Sequence, residues 1–104
     1  MYQIELEQKP NQEISVEIEN VSYRIRLHTV GGMITLADVY ADGDMVSSAV
    51  RCVPGGWLIP FQYITKGGNF VFRCIDQNYP YYTLFGKTQN LYYLSNDEIT
   101  AAGL

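Results

Sequence analysis

The stretch EISVEIENVSYRIRL, residues Glu13 to Leu27, decides the fold. Its apolar residues alternate with polar ones on both sides of Glu19-Asn20, and a period of two is typical of half-buried β-strands. A two-residue turn at Glu19-Asn20 places the apolar side chains on one face, in the pairs Ile18–Val21, Val16–Tyr23 and Ile14–Ile25. The same register sets Glu13 against Arg26 on the opposite face, and Glu17 diagonally to Arg24. Because both patterns agree on one register, the stretch predicts an antiparallel hairpin.

A second hairpin is predicted over MITLADVYADGDMVSSAVRCV, residues 33–53. Asp42-Gly43 at its centre is a strong signal for a type I′ turn, because glycine adopts a positive φ without steric cost. That turn predicts a buried face made of the pairs Val39–Val46, Ala37–Ser48 and Thr35–Val50. Gly31-Gly32, between the two hairpins, permits a sharp bend or a bulge.

Short strands are also predicted before and after the hairpins. Tyr2, Ile4 and Leu6 alternate with polar residues until Pro10-Asn11 breaks the pattern. GNFVFRCI (68–75) places Phe70, Phe72 and Cys74 on one side of a strand, and NLYYL (90–94) predicts the last strand. Residues 95–104 predict a short helix capped by Ser95 or Asn96, or a frayed tail. The chain is thus predicted to be one all-β domain over residues 1–104, with about seven short strands in a small antiparallel barrel or sandwich.

Composition argues against several classes of function. The chain has 104 residues and a net charge of −4, and its seven basic residues are scattered, whereas phosphate-backbone binding needs clustered lysine and arginine. No apolar stretch approaches the ~20 residues of a membrane span. The N-terminus lacks the pattern of a signal peptide. Cys52 and Cys74 are too few and too far apart for a disulfide scaffold or a zinc site, and they are expected to be free and buried.

The sequence carries no catalytic motif. His28 is the only histidine, and the hairpin register predicts an exposed imidazole on the polar face. Asp38, Asp42 and Asp44 lack the downstream glutamate and the spacing of a calcium loop and are expected to be solvated. The interpretation is a protein that is not an enzyme and has no catalytic, cofactor-binding or metal-binding residues.

Aromatic residues are the main functional signal. YPYYTLFGKTQNLYYL, residues 79–94, contains five of the nine tyrosines. Adjacent residues of an extended segment point to opposite sides, so one tyrosine of each neighbouring pair is expected at the surface or under a partner. Tyrosine is enriched at protein interfaces, because it offers a large contact area and a hydroxyl group. The candidate interface residues are Trp57, Tyr79, Tyr81, Tyr82, Phe85, Tyr92 and Tyr93.

Two other uses of these aromatic residues stay open at this stage. A carbohydrate-binding β-module would use Trp57 and the tyrosines as stacking platforms. An oligonucleotide-binding barrel would stack bases on them but also needs a basic groove, which the sequence lacks.

The sequence resembles the small baseplate plug family of contractile-tailed phages over Tyr2 to Ser95. The similarity lies in IELEQKPNQEISVEIEN, YRIRL, ADG, VRCVPGGWLIP and LYYL. It includes a Pro-Asn-Gln corner, a tyrosine-led strand, an Asp-Gly hairpin tip, the segment before the following loop and the closing strand. The corresponding residues here are Pro10, Asn11, Gln12, Tyr23, Ile25, Leu27, Asp42, Gly43, Val50, Arg51, Val53, Leu91 and Tyr93. Asn20-Val21 departs from the Asp-Gly that is common in the family.

The resemblance implies a structural component of the baseplate of a phage or phage-tail-like particle. It implies a central plug or adaptor that contacts hub, spike and tail tube proteins and forms homo-oligomers in the assembled tail. It further implies a place in the virion, with host cytoplasm as the site of assembly. No cofactor, specific nucleic acid or membrane partner is expected, and the resemblance carries over no catalytic residue.

Overall fold

The computed structural model describes residues 2–31, 34–59 and 68–101. These residues form two antiparallel sheets and one short α-helix, namely β1 (Tyr2–Ile4), β2 (Asn11–Ile18), β3 (Val21–Val30), β4 (Ile34–Ala41), β5 (Asp44–Arg51), β6 (Asn69–Cys74), β7 (Gln89–Leu94) and α1 (Asn96–Ala101). A single 3-10 turn, Tyr82–Leu84, lies between β6 and β7. One sheet has the order β2-β3-β4-β5 and the other β1-β7-β6. The all-β prediction is confirmed, and of the two architectures the sandwich fits, because the described strands form no closed barrel.

The first hairpin has the predicted register. Ile18, Val16 and Ile14 lie opposite Val21, Tyr23 and Ile25. Glu19 and Asn20 form the turn with φ values of 54° and 66°, and positive φ at both central residues is what a type I′ turn requires. Glu13 lies opposite Arg26 as predicted, but Arg24 pairs with Glu13 at 3.4 Å, whereas Glu17 was the predicted diagonal partner.

The second hairpin has the predicted turn but a different register. Asp42 and Gly43 both have positive φ. Beyond the first pairs, two irregularities in β5 shift the register, so that Val39 lies opposite Ser47 and Ala37 opposite Val50. The predicted pairs Val39–Val46, Ala37–Ser48 and Thr35–Val50 are therefore wrong, although Thr35, Ala37 and Val39 are buried as expected. The physical reason is two irregularities in β5, one at Val46, between the paired residues Met45 and Ser47, and one between Ser47 and Val50, where Ala49 has a φ of 50° typical of a β-bulge.

Asp38 holds this bulge and also pairs with the histidine. One carboxylate oxygen accepts the Ala49 N–H at 2.7 Å, and the other lies 2.8 Å from His28 Nε2. His28 is on the polar face as predicted, but it is half-buried against Asp38, so the prediction of an exposed imidazole was wrong. The bulge brings Ala49 to the carboxylate, and a pairing pattern without bulges could not have indicated this contact.

Acid should weaken this contact. The Ala49 N–H, the hydrogen bond and charge of His28 and the charge of Arg26 hold the pKa of Asp38 below its ordinary value of 3.8, against the opposing effect of burial. Because the pKa of Asp38 is lower in the folded state than in the unfolded state, the ionised carboxylate stabilises the fold. This stabilisation is complete at pH values above the unfolded-state pKa and is lost as the pH falls through the folded-state pKa. We expect Asp38→Asn to cost about 1 kcal/mol at neutral pH and to flatten the loss of stability in acid. Urea titrations between pH 2 and 7 measure both effects. Asp97→Asn, at an exposed position, serves as the control. If Asp38→Asn lost as much stability between pH 7 and pH 2 as the wild type does, the prediction would be wrong.

The core lies between the two sheets. Tyr23 from the first sheet packs against Phe70 and Tyr93 from the second, with ring centroids 5.1 and 5.7 Å away. Phe70, Phe72 and Cys74 share the buried side of β6, as predicted. Cys52 and Cys74 are free and buried, also as predicted, and burial raises their pKa values to about 12 and about 11.

The last strand leads into the predicted helix. Ser95 Oγ accepts the Glu98 N–H at 3.2 Å, and the Glu98 carboxylate accepts the Ser95 N–H at 3.0 Å. This reciprocal pair is a capping box, which satisfies backbone donors at the start of a helix. No helix in the described residues is long and apolar enough to cross a membrane.

Candidate interaction surface

The structure distributes the seven predicted interface residues over three places. Tyr79, Tyr81 and Tyr82 belong to the loop between β6 and β7, where Tyr79 is 53% exposed. Trp57 and Tyr92 are half-buried on the outer side of the second sheet. Phe85 and Tyr93 lie in the core with only 2% of their surface exposed, so they offer almost no area to a partner.

The loop of residues 78–82, called the tyrosine loop below, is held by one buried side-chain amide. Gln89, at the start of β7, is fully buried. Its carbonyl oxygen accepts the Tyr81 N–H at 2.8 Å. Its amide group donates to the carbonyl oxygens of Tyr79 at 3.0 Å and Asn78 at 3.3 Å. One side chain thus fixes three successive parts of the loop backbone.

A second anchor comes from the opposite sheet. Thr35 on β4 is 2% exposed, and its hydroxyl donates to the Pro80 carbonyl oxygen at 2.8 Å. Asp76 fixes the approach to the loop, because its carboxylate accepts the Asn78 N–H at 3.0 Å and the Thr88 hydroxyl at 2.7 Å. These bonds, with Thr88 as the larger cause, lower the pKa of Asp76. Hydrogen bonds from both sheets therefore hold the loop backbone in place.

The anchored loop presents aromatic rings at the surface. The Arg51 guanidinium lies 4.7 Å from the centre of the Tyr79 ring, within the distance of a cation–π contact. The rings of Tyr81 and Tyr82 pack against each other at 4.7 Å with a tilt of 48°. Ile75 precedes the loop and is 78% exposed. The result is a surface that combines tyrosine and arginine, two residue types enriched at protein interfaces, with an exposed isoleucine.

Trp57 and Tyr92 form a separate row on the outer side of the second sheet. Val71 forms a bridge with Trp57 on one side and pairs with Tyr92 on the other. Residues directly opposite each other in a sheet lie on the same face, so the three side chains are neighbours. Arg73 lies 5.8 Å from the centre of the Tyr92 ring. These half-buried rings cover the sheet and contribute less exposed surface than Tyr79.

The Pro-Asn-Gln corner has a structural role. The Gln12 side chain accepts the Glu7 N–H at 3.0 Å and donates to the carbonyl oxygens of Glu7 at 2.7 Å and Lys9 at 3.2 Å. Gln8 donates to the Phe85 carbonyl oxygen at 3.3 Å and so joins the corner to the chain just after the tyrosine loop. This corner fixes the crossing of the chain from the first strand to the second.

Sequence reasoning found the tyrosines but missed the residues that hold them. Gln89 occupies a buried position in the alternation that continues with Leu91 and Tyr93. A polar residue at a buried position indicates a side chain with hydrogen-bond partners in the interior, and this could have identified Gln89. Thr35 was predicted to be buried, but its bond to Pro80 was not foreseen. The stacking of Arg51 on Tyr79 had no signal in the sequence, because the two residues are far apart along the chain.

The described residues contain no group of three or more histidine, cysteine, aspartate or glutamate side chains that could hold a metal ion. A family model described as cyanophage baseplate Pam3 plug gp18 matches residues 1–97 of the chain. A search of curated proteins gave no match.

Proposed function

Because this chain belongs to the family of the cyanophage baseplate plug Pam3 gp18, we propose that it plugs the centre of a contractile-tail baseplate and binds neighbouring proteins through its tyrosine loop. Membership of this family makes it a baseplate protein with a place in the virion tail. The role is structural, and the proposal assigns no catalytic step to any residue.

One observation carries the choice of the tyrosine loop. Buried Gln89 and Thr35 hold four backbone groups of the loop, while Tyr79 remains half-exposed. Association costs conformational entropy, and a loop that is already ordered loses less of it on binding. A tyrosine that only faced solvent would not need its loop to be held by two buried polar side chains.

The proposed partners are the hub, the spike and the tail tube proteins of the same particle. We include contacts between copies of this chain, because a plug on the axis of a symmetric tail faces several equivalent neighbours. Assembly is proposed to take place in the host cytoplasm before the tail is complete.

Incorporation into tail particles tests this proposal. Quantitative peptide mass spectrometry on density-purified particles should find the wild-type chain at a fixed ratio to the tail tube protein. Loss of a tyrosine at the centre of an interface weakens binding by about 2 kcal/mol, or roughly thirtyfold, so Tyr79→Ala should be strongly depleted. Tyr40→Ala is a matched control, because Arg24 also stacks on Tyr40, at 4.3 Å, but on the outer side of the other sheet.

The outcomes separate the parts of the proposal. Absence of the wild-type chain from intact particles would overturn the baseplate function. Normal incorporation of folded Tyr79→Ala would leave that function in place but remove the tyrosine loop as its interface. Saturable binding to a glycan panel, lost in Trp57→Ala, would instead favour a carbohydrate-binding module.

A further inference from the structure

Among the described residues the two sheets have four outer strands, and three of these strands are protected against pairing with another strand. β5 is interrupted by bulges, and β1 has only three residues. The outer edge of β6 is covered, because the Gly55 and Leu58 N–H groups donate to the Phe72 and Phe70 carbonyl oxygens, both at 2.9 Å. β2 differs, since it is regular over eight residues and pairs, among the described strands, with β3 alone.

The register shows which backbone groups of β2 point away from the sheet. The Thr29 N–H donates to the Pro10 carbonyl oxygen at 2.9 Å, so Pro10 and Thr29 form a hydrogen-bonded pair next to the strand. Hydrogen-bonded and non-hydrogen-bonded pairs alternate in an antiparallel ladder. Gln12, Ile14, Val16 and Ile18 therefore bond to β3. Asn11, Glu13, Ser15 and Glu17 direct their N–H and C=O groups outward, along the open edge.

A groove lined by both polar and apolar residues lies beside this edge, between the two sheets, and Gln3, Glu5 and Ser15 supply its polar part. It has a volume of about 220 Å³, and its lining includes Ile4 from β1 and Ile14 and Val16 from β2. Ile14 and Val16 are only half-buried against the core. A strand added to β2 would direct every second side chain into this groove.

The N-terminal part of the chain, which includes β2, carries the net negative charge. Residues 1–19 contain five glutamates and one lysine, a net charge of −4, which equals the charge of the whole chain. Glu13 and Glu17 flank Ser15 on the outer face of β2, where all three side chains are exposed. A side chain opposite Ser15 on an added strand would lie diagonally to both carboxylates. Glu13 already lies 3.4 Å from Arg24 and 3.8 Å from Arg26, so Glu17 is the carboxylate that makes a cation fit there.

We propose that the outer edge of β2 receives an extended segment of another baseplate protein, with alternating apolar and basic residues, as a fifth strand of the sheet. The apolar residues enter the groove beside Ile14 and Val16, and the basic residues pair chiefly with Glu17, because Glu13 already pairs with Arg24 and Arg26. Main-chain hydrogen bonds supply affinity in such β-strand addition, and the alternating side chains supply specificity. This inference rests on the proposed baseplate function, but it assigns a surface distinct from the tyrosine loop.

The glutamates disfavour a second copy of this chain as the added strand. An antiparallel pair of β2 strands centred on Ser15 would set Glu13 of one copy against Glu17 of the other at both ends. Like charges directly opposite each other destabilise a strand pair. The same residues therefore keep an open edge from pairing with itself and select a basic partner.

The probe is a capped eight-residue peptide that alternates lysine and valine, added to the full chain. In the free protein the amides of Glu13, Ser15 and Glu17 should exchange rapidly with solvent, whereas those of Ile14 and Val16 should be protected by β3. The peptide should slow exchange at the three outward amides specifically. A peptide that alternates glutamate and valine, and a lysine–valine peptide with alternate amides N-methylated, should have no such effect.

Substitutions in β2 give a second line of evidence. Ser15→Pro removes an outward N–H without breaking a bond to β3, and it should weaken peptide binding at least about tenfold, while Ser15→Ala should bind like the wild type. Glu17→Lys should weaken binding to a similar degree without altering the backbone. The Glu17→Lys variant and the N-methylated peptide keep the test decisive if Ser15→Pro does not fold.

Failure of this inference differs from failure of the baseplate function. Lack of binding by the lysine–valine peptide, equal binding by the acidic peptide, or protection outside β2 would overturn the added strand. A concentration-dependent dimer that protects the outward amides without peptide would overturn it in favour of self-pairing. If both Ser15→Pro and Glu17→Lys were incorporated normally into purified particles, the edge of β2 would have no role in assembly. If the wild-type chain were absent from the particles, the baseplate function itself would be ruled out.

Discussion

Replacing Gln89 by leucine should lower the free energy of unfolding by about 3 kcal/mol and release the tyrosine loop. Leucine has a similar volume but no polar atoms, so the Tyr81 N–H and the Tyr79 and Asn78 carbonyl oxygens would lose their partner. Each buried backbone group left without a hydrogen bond costs about 1–3 kcal/mol. The loop can move outward and recover some bonds with water, and this keeps the total below the sum of three full penalties.

Two measurements separate the effect on stability from the effect on the loop. Urea denaturation gives the free energy of unfolding, and hydrogen exchange at the Tyr81 amide reports whether the loop is still held. Gln3→Leu is a suitable control, because Gln3 is exposed and makes one side-chain bond, to Asn90 at 3.2 Å. A cost under about 1 kcal/mol with the Tyr81 amide still protected would show that Gln89 does not anchor the loop. If the tyrosine loop is the interface, Gln89→Leu should also be depleted from tail particles.

Phe70→Ala should cost about 4 kcal/mol, the largest loss that we expect from a single substitution. The Phe70 ring is completely buried and lies 5.1 Å from the Tyr23 ring and 5.3 Å from the Tyr93 ring. Its removal leaves a cavity at the contact between the two sheets. Domains of this size are stable by about 5–15 kcal/mol, so the variant should lie close to the limit of folding.

The neighbouring position provides the control for Phe70→Ala. Val71 lies on the same strand but faces the outer side and is half-buried, so Val71→Ala should cost about 1 kcal/mol. Urea denaturation of both variants measures the difference between the two faces of β6. Similar losses at the two positions would mean that the space between the sheets is not the main core.

Local patterns in the sequence predicted the strands well because the two-residue period follows directly from backbone geometry. The first hairpin shows this, since its apolar and charged residues are consistent with one register alone. The second hairpin shows the limit, because the bulge at Ala49 depends on Asp38, eleven positions away, and no alternation encodes that bond. Tyr79 could be named as a candidate from the local sequence. Thr35 and Gln89 could not, because they support the loop from two other strands and no local pattern encodes those contacts.

The two anchors of the tyrosine loop have a mechanical consequence. Thr35 belongs to β4 of one sheet and Gln89 to β7 of the other. A pull on the loop is therefore shared by both sheets through the hydrogen bonds of Thr35 and Gln89. A loop fastened to a single outer strand would instead peel that strand away one hydrogen bond at a time. A force applied at Tyr79 is thus distributed over strands of both sheets.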